Sequence, residues 1–97
     1  MRLDAIMIKE RDNVATALRD IQPKEKVSVG IGEARKEIVV QEHISFGHKF
    51  AVKEILEGQN VTKYGETIGR ATQAIRLGHH AHIQNIESLR GRGDLES

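Results

Sequence analysis

His80, His82 and Gln84 stand two positions apart from one another. In a strand that spacing sends all three side chains to one face while His79 points to the other. Two imidazoles on one face can hold a divalent metal, which makes His80 and His82 the metal candidates. A His-x-His pair with no third histidine or carboxylate beside it leaves a tetrahedral site incomplete, however, and solvated strand histidines are the plainer reading. Further upstream, Gly47, His48 and Lys49 lie between Phe46 and Phe50. If both rings anchor in the core, this turn presents an imidazole and an ammonium together, a pairing suited to a carboxylate; the alternative is a surface turn with solvated charges. Lys63, Tyr64, Gly65 and Glu66 add a phenol and a carboxylate that could bind the hydroxyls of a polyol or take part in proton transfer. Tyr64 is equally readable as a core ring with its hydroxyl at the surface. The expectation is that His48, Lys49 and His82 meet in space as a catalytic group. Gly65 and Gly69 read as turn glycines, since no strand-loop-helix context supports a phosphate loop. Arg92-Gly93-Asp94 is incidental in a chain of this type.

Strands and tight turns must position these groups. Leu3 to Ile8 reads as a first strand running into the polar stretch Lys9 to Asn13, while Val14 to Leu18 fits neither the strand nor the helix period. An internal repeat is clearer. Ile21, Ile55 and Ile75 are each followed six residues later by a small apolar residue, Val27, Val61 and Ala81, and each is preceded by an alanine, Ala17, Ala51 and Ala71 or Ala74. Gly58 and Gly78 share one offset within the unit, where the first copy has Lys24 after Pro23. Each unit reads as a short helical turn or strand end, a tight turn needing positive φ, and a new strand. Val27, Val29 and Ile31 alternate with small residues, and Ile38 to Val40 is a continuous apolar run. The chain is therefore expected to be mainly β, a compact barrel-like or irregular single domain with short helical turns, spanning 1–86 and followed by a polar tail, 87–97.

A chain of 97 residues with 38% apolar residues and only Phe46, Phe50 and Tyr64 as aromatics builds a small aliphatic core. At this length only roughly 60 to 65 percent of the unfolded surface is buried, so a partner chain or a homo-oligomer is a natural source of further burial. Fifteen basic and 14 acidic residues give a formal charge of +1 with the signs interspersed, which argues against a nucleic-acid binder. The absence of cysteine excludes disulfides, a thiol nucleophile and thiolate metal sites. No signal-peptide pattern and no apolar run long enough to span a membrane is present, so a cytoplasmic location is expected.

Two stretches, Ile44-Ser45-Phe46-Gly47-His48-Lys49-Phe50-Ala51 and Val61-Thr62-Lys63-Tyr64-Gly65-Glu66-Thr67-Ile68-Gly69-Arg70-Ala71-Thr72, resemble the altronate and galactarate dehydratase family. With Asp12 to Leu18 and Gly78 to Asn85, the resemblance covers nearly the whole chain in the family's order. It implies a SAF domain of β-clip fold, and the small subunit of a sugar-acid dehydratase that works with a large catalytic subunit. The reaction implied is loss of water from an aldonate or aldarate to give a 2-keto-3-deoxy acid. A proton next to a carboxylate is weakly acidic, so such chemistry needs a divalent metal or cationic side chains to stabilise the intermediate. The resemblance implies iron or a related divalent ion held mainly by the large subunit. It also implies His48, Lys49 and His82 as catalytic residues and Tyr64, Glu66 and Asn85 as substrate-binding residues. Family members close this region with His-x-His-Asn; here the second histidine is Gln84, and an amide oxygen is a poorer transition-metal ligand than imidazole. The alternatives are the small subunit of a sulfolactate sulfo-lyase, which expels sulfite from a related hydroxy acid, and a non-catalytic β-clip module that binds carbohydrate or protein.

Overall fold

The computed structural model describes residues 3–88, and among them there are strands, turns and loops but no helix. The strands are β1 (Ala5–Met7), β2 (Val14–Ala17), β3 (Lys26–Ile31), β4 (Ala34–Val39), β5 (Lys49–Ala51), β6 (Asn60–Lys63), β7 (Glu66–Ala71), β8 (His80–Ala81) and β9 (Ile86–Ser88). They form a 6-stranded sheet in the order β4-β3-β1-β2-β5-β8 and a 3-stranded sheet in the order β6-β7-β9. The pairing of β1 with β3 is parallel and the other pairings are antiparallel. This is the mainly β, β-clip architecture expected. The ambiguous stretch after Asn13 is strand β2, and β9 continues through Ser88, two residues past the boundary placed at 86. The rest of the proposed tail, 89–97, lies outside the described residues.

The expected helical turns are instead β-turns, and the isoleucine unit occurs at four places. Turns at 22–25, 45–48, 56–59 and 76–79 follow Ile21, Ile44, Ile55 and Ile75. In each, the fourth residue's N–H donates to the first residue's carbonyl, at 3.2, 2.9, 3.0 and 3.0 Å. The third residues are Lys24, Gly47, Gly58 and Gly78, with φ of 72, 84, 87 and 86°, the left-handed position of a type II turn. Pro23 pre-sets the second position of the first turn, which helps it accept a lysine where the other three use glycine. The turns work in reciprocal pairs. Ile21 bridges Ile44 and Ile55 bridges Ile75. The 22–25 turn clasps the backbone of Val40, the 45–48 turn that of Ala17, the 56–59 turn that of Ala71 and the 76–79 turn that of Ala51.

Strands β2 and β5 separate two cores, because period-2 alternation sends successive side chains to opposite faces. Ala15, Ala17, Phe50 and Val52 pack with Met7, Ile21, Val27, Val29 and Ile44 on one side. Val14 and Ala51 pack with Ile55, Val61, Ala71, Ile75 and Ala81 on the other. Phe50 is fully buried, but Phe46 is 67% exposed, so only one ring anchors the 45–48 turn. Phe46 is the second residue of a type II turn, a corner whose side chain points away from the clasped strand.

The two halves are also stapled through Asp12, which is fully buried. Its carboxylate accepts backbone N–H bonds from Ile8 and Lys9 in its own loop, and from Tyr64 and Gly65 in the β6–β7 turn, at 2.7 to 3.1 Å. Tyr64 and Gly65 both have positive φ, 54 and 81°, as a two-residue type I′ hairpin requires. Asn13 continues the staple: its side chain accepts from the Thr62 N–H and donates to the Asn60 carbonyl. Gly69 is not a turn glycine. It lies inside β7, where an added Cβ would sit 2.5 Å from the Glu87 carbonyl of β9. No helix among the described residues is long and apolar enough to cross a membrane.

Candidate functional site: an imidazole cluster beside a cleft

The last residue of the 45–48 turn and the strand after the 76–79 turn converge at one end of the β5–β8 pair, where Phe50 pairs with His80 and Lys49 with Ala81. His48 and His80 are joined directly, Nδ1 to Nε2, at 2.9 Å. His82 stacks on His48 with ring centroids 4.3 Å apart and lies 5.5 Å from His80. One nitrogen from each of the three rings falls within 4.8 Å of the others. Three imidazoles grouped in this way could hold a divalent ion. The Nδ1 of His82 supplies a structural test of that fit: it is buried with no hydrogen-bond partner among the described residues.

The alternating face expected for His80, His82 and Gln84 does not form. Strand β8 ends at Ala81, and 82–85 is a turn in which the Asn85 and Ile86 N–H groups donate to the His82 carbonyl. The third imidazole therefore comes from His48, across the sheet, and Gln84 folds back to the outer edge of His80. Asn85 is buried and engaged at both ends of its amide: Oδ1 accepts from the His82 N–H at 2.9 Å and Nδ2 donates to the His80 carbonyl at 2.8 Å. Its geometry is that of a brace for the histidine turn.

Lys49 and His82 open onto a cleft of about 590 Å³ between the two sheets, lined also by Glu66, Thr67, Ile68, Ile83, Ile86 and Ser88. Burial holds the Lys49 amine below its ordinary pKa, with the nearby Lys63 charge adding to the effect. The His80 and His82 pKa values are lowered first by burial and then by the charge on their neighbours, His48 and His82 in the case of His80, His48 and Lys49 in the case of His82. An anion entering here would favour the charged forms of Lys49 and the histidines. Glu66 thus reaches the cleft, whereas Tyr64 does not line it: Tyr64 is at the hairpin tip, 39% exposed, with the Lys63 ammonium 5.0 Å over its ring.

Glu42 was not singled out in the sequence. Its Oε2 accepts the His80 N–H and contacts His79 Nδ1, each at 3.0 Å, so it fixes the start of β8 from outside. No local pattern marks it. A signal did exist for the histidine turns: the residue four after each isoleucine is Glu25, His48, Gln59 or His79, and two of these four are histidine.

Residues 3–89 match the family described as altronate/galactarate dehydratase SAF domain. The chain is 40% identical over 84 residues to an altronate dehydratase of Bacillus subtilis and 40% identical over 83 residues to one from Escherichia coli, in each case covering 86% of this chain and 16% of the relative. It is also 41% identical over 51 residues to the (2R)-sulfolactate sulfo-lyase subunit alpha of Chromohalobacter salexigens, covering 53% of this chain and 54% of that one. The chain thus spans only a small part of the length of the dehydratases it matches.

Proposed function

Because the chain belongs to the altronate/galactarate dehydratase SAF domain family, we propose that it is the small component of a sugar-acid dehydratase and lends a larger catalytic chain the imidazole and lysine wall of its active site. The observation that carries this reading is the convergence of His48, His80 and His82, one ring nitrogen buried and unpartnered, beside a desolvated Lys49 at the edge of an open cleft. The chain aligns with 16% of the length of each matched dehydratase, and a further relative is named as a subunit, which supports a larger partner.

Removal of a proton next to a carboxylate builds charge on that carboxylate, and the Lys49 ammonium is placed to meet it. His82 lines the cleft, and His48 holds its orientation by stacking. Glu66 on the cleft wall is suited to the hydroxyls of a polyol chain, and Asn85 keeps the histidine turn in shape. The residues that would hold a divalent ion are His48, His80 and His82; when bound, such an ion supplies Lewis-acid polarisation of a substrate oxygen. A second reading, a sulfolactate sulfo-lyase subunit, is favoured by the similarity to a short chain named as a subunit.

The test is turnover by the pure chain, and by the chain combined with a large dehydratase-like chain from the same organism, on altronate, galactarate and sulfolactate. The expected result is no turnover alone and turnover of a sugar acid in combination. Sulfite release with no dehydration would favour the second reading. Turnover of roughly 1 to 1,000 per second by the isolated chain would overturn the subunit assignment.

A further inference from the structure

Gln84 is the side chain that grips the imidazole cluster from outside. The 82–85 turn, braced by Asn85, brings its amide nitrogen to 3.0 Å from His80 Nδ1, while His80 Nε2 faces His48 Nδ1 at 2.9 Å. A neutral imidazole has one N–H and one lone pair. With the amide N–H donating to Nδ1, the His80 proton must be on Nε2, where it donates to His48. The inward nitrogen of His80 then has no lone pair for an ion. For Nε2 to bind a cation, the proton must move to Nδ1 of the same ring, with none released by His80. A donor would then face a donor. Half a turn of the Gln84 amide about its terminal torsion resolves this, because Oε1 takes the position of Nε2 and accepts from Nδ1–H. Metal-bound histidines commonly donate their outer N–H to a carbonyl or carboxylate in this way, and loss of that partner typically costs about 10- to 100-fold in affinity.

We infer that Gln84 is a positioning residue that, through its bond to the outer nitrogen of His80, sets how tightly His48, His80 and His82 take a divalent ion. This rests on the metal-binding reading of the cluster given above. Residue 84 acts on the outer edge of an imidazole, so its replacement of the family's second histidine changes the grip on a ligand and leaves the ligand set, with His48 as third member, intact.

The experiment uses the full 97-residue chain, titrated calorimetrically with Zn²⁺ alone, as the natural sequence, as Gln84→Glu and as Gln84→Met. A carboxylate at 84 can only accept and favours Nδ1–H, so Gln84→Glu is expected to bind about tenfold tighter. Gln84→Met keeps the bulk without the acceptor and is expected to bind about tenfold more weakly. A second readout needs no metal: ¹⁵N shifts of the histidine ring should show His80 protonated on Nε2 in the natural chain and on Nδ1 in Gln84→Glu, a change that a merely structural role would not produce. Equal Zn²⁺ affinity in all three chains, with the tautomer unmoved, would overturn the inference while the metal reading stands. Absence of Zn²⁺ binding in all three would overturn both.

Discussion

In the 22–25 and 56–59 turns the fourth residue, Glu25 or Gln59, curls back so that its Oε1 accepts from the N–H of the turn's first residue, Gln22 or Leu56, at 2.8 Å. In the 45–48 and 76–79 turns the same position holds His48 or His79, and the rings reach away, His48 to His80 and His79 to Glu42. The backbone is the same type II turn in all four, so the difference lies wholly in where one side chain goes. A repeated scaffold can therefore direct one side chain differently in half of its copies without altering the chain path. Two copies close on themselves, and the other two send an imidazole to a group elsewhere, His48 to His80 and His79 to Glu42.

The sharpest test of this division replaces the glycine at the third position. Gly58 has nothing within 4 Å of an added Cβ, whereas at Gly78 that atom would lie 2.4 Å from the Val39 carbonyl. Both have positive φ, so Gly58→Ala should cost about 1 kcal/mol, but Gly78→Ala should cost about 3 kcal/mol or more and disturb the histidines that follow. Urea denaturation of the two variants measures this; equal losses would show that crowding does not distinguish the two turns.

Asp12→Asn should follow, at about 2 to 4 kcal/mol, because one amide oxygen cannot serve four backbone donors. Burial pushes the Asp12 carboxyl up, but the hydrogen bonds from Lys9, Gly65, Ile8 and Tyr64 together outweigh it, and the pKa in the folded chain is below the ordinary value. A group of this kind stabilises the fold above its unfolded pKa of about 4, and that contribution is lost as pH falls through the folded value. The acid limb of a stability curve should be shallower in Asp12→Asn than in the natural chain.

His48→Ala, Lys49→Ala and His82→Ala should each lower turnover of the reconstituted enzyme by at least about tenfold, roughly 1.4 kcal/mol, while thermal melting of the small chain stays close to normal. Full activity in all three would confine this domain to assembly. The smallest effect belongs to a self-closing turn: Gln59→Ala should cost about 0.5 to 1.5 kcal/mol of stability and leave turnover unchanged.

Much of this was legible from spacing. The isoleucine unit, its glycines and its preceding alanines are local, and three copies could be read directly. The fourth was hidden because the residue six after Ile44 is Phe50, large rather than small, since it fills the wider of the two cores. The sequence points to His48, Lys49, His80 and His82, but strand alternation places the third member of that face at position 84. The strand ends at Ala81 because Asn85 draws the chain into a turn, and that bond to His82 has no signature in an alternation pattern. An aromatic in a β-rich chain is usually inside, but Phe46 sits at the exposed corner of a turn. Asp12 looked like one more loop charge, because its decisive partners lie 52 and 53 residues away.

That separation bears on the order in which the chain is made. When Asp12 leaves the ribosome, the N–H groups of Ile8 and Lys9 are already present, but those of Tyr64 and Gly65 are not. At about 5 to 20 residues per second, roughly 3 to 10 seconds pass before its remaining partners are synthesised. During that interval the first pair of turns can assemble, since Ile21 and Ile44 come early, while the carboxylate stays in water. Its desolvation is thereby deferred until the second half arrives to complete the ring of donors.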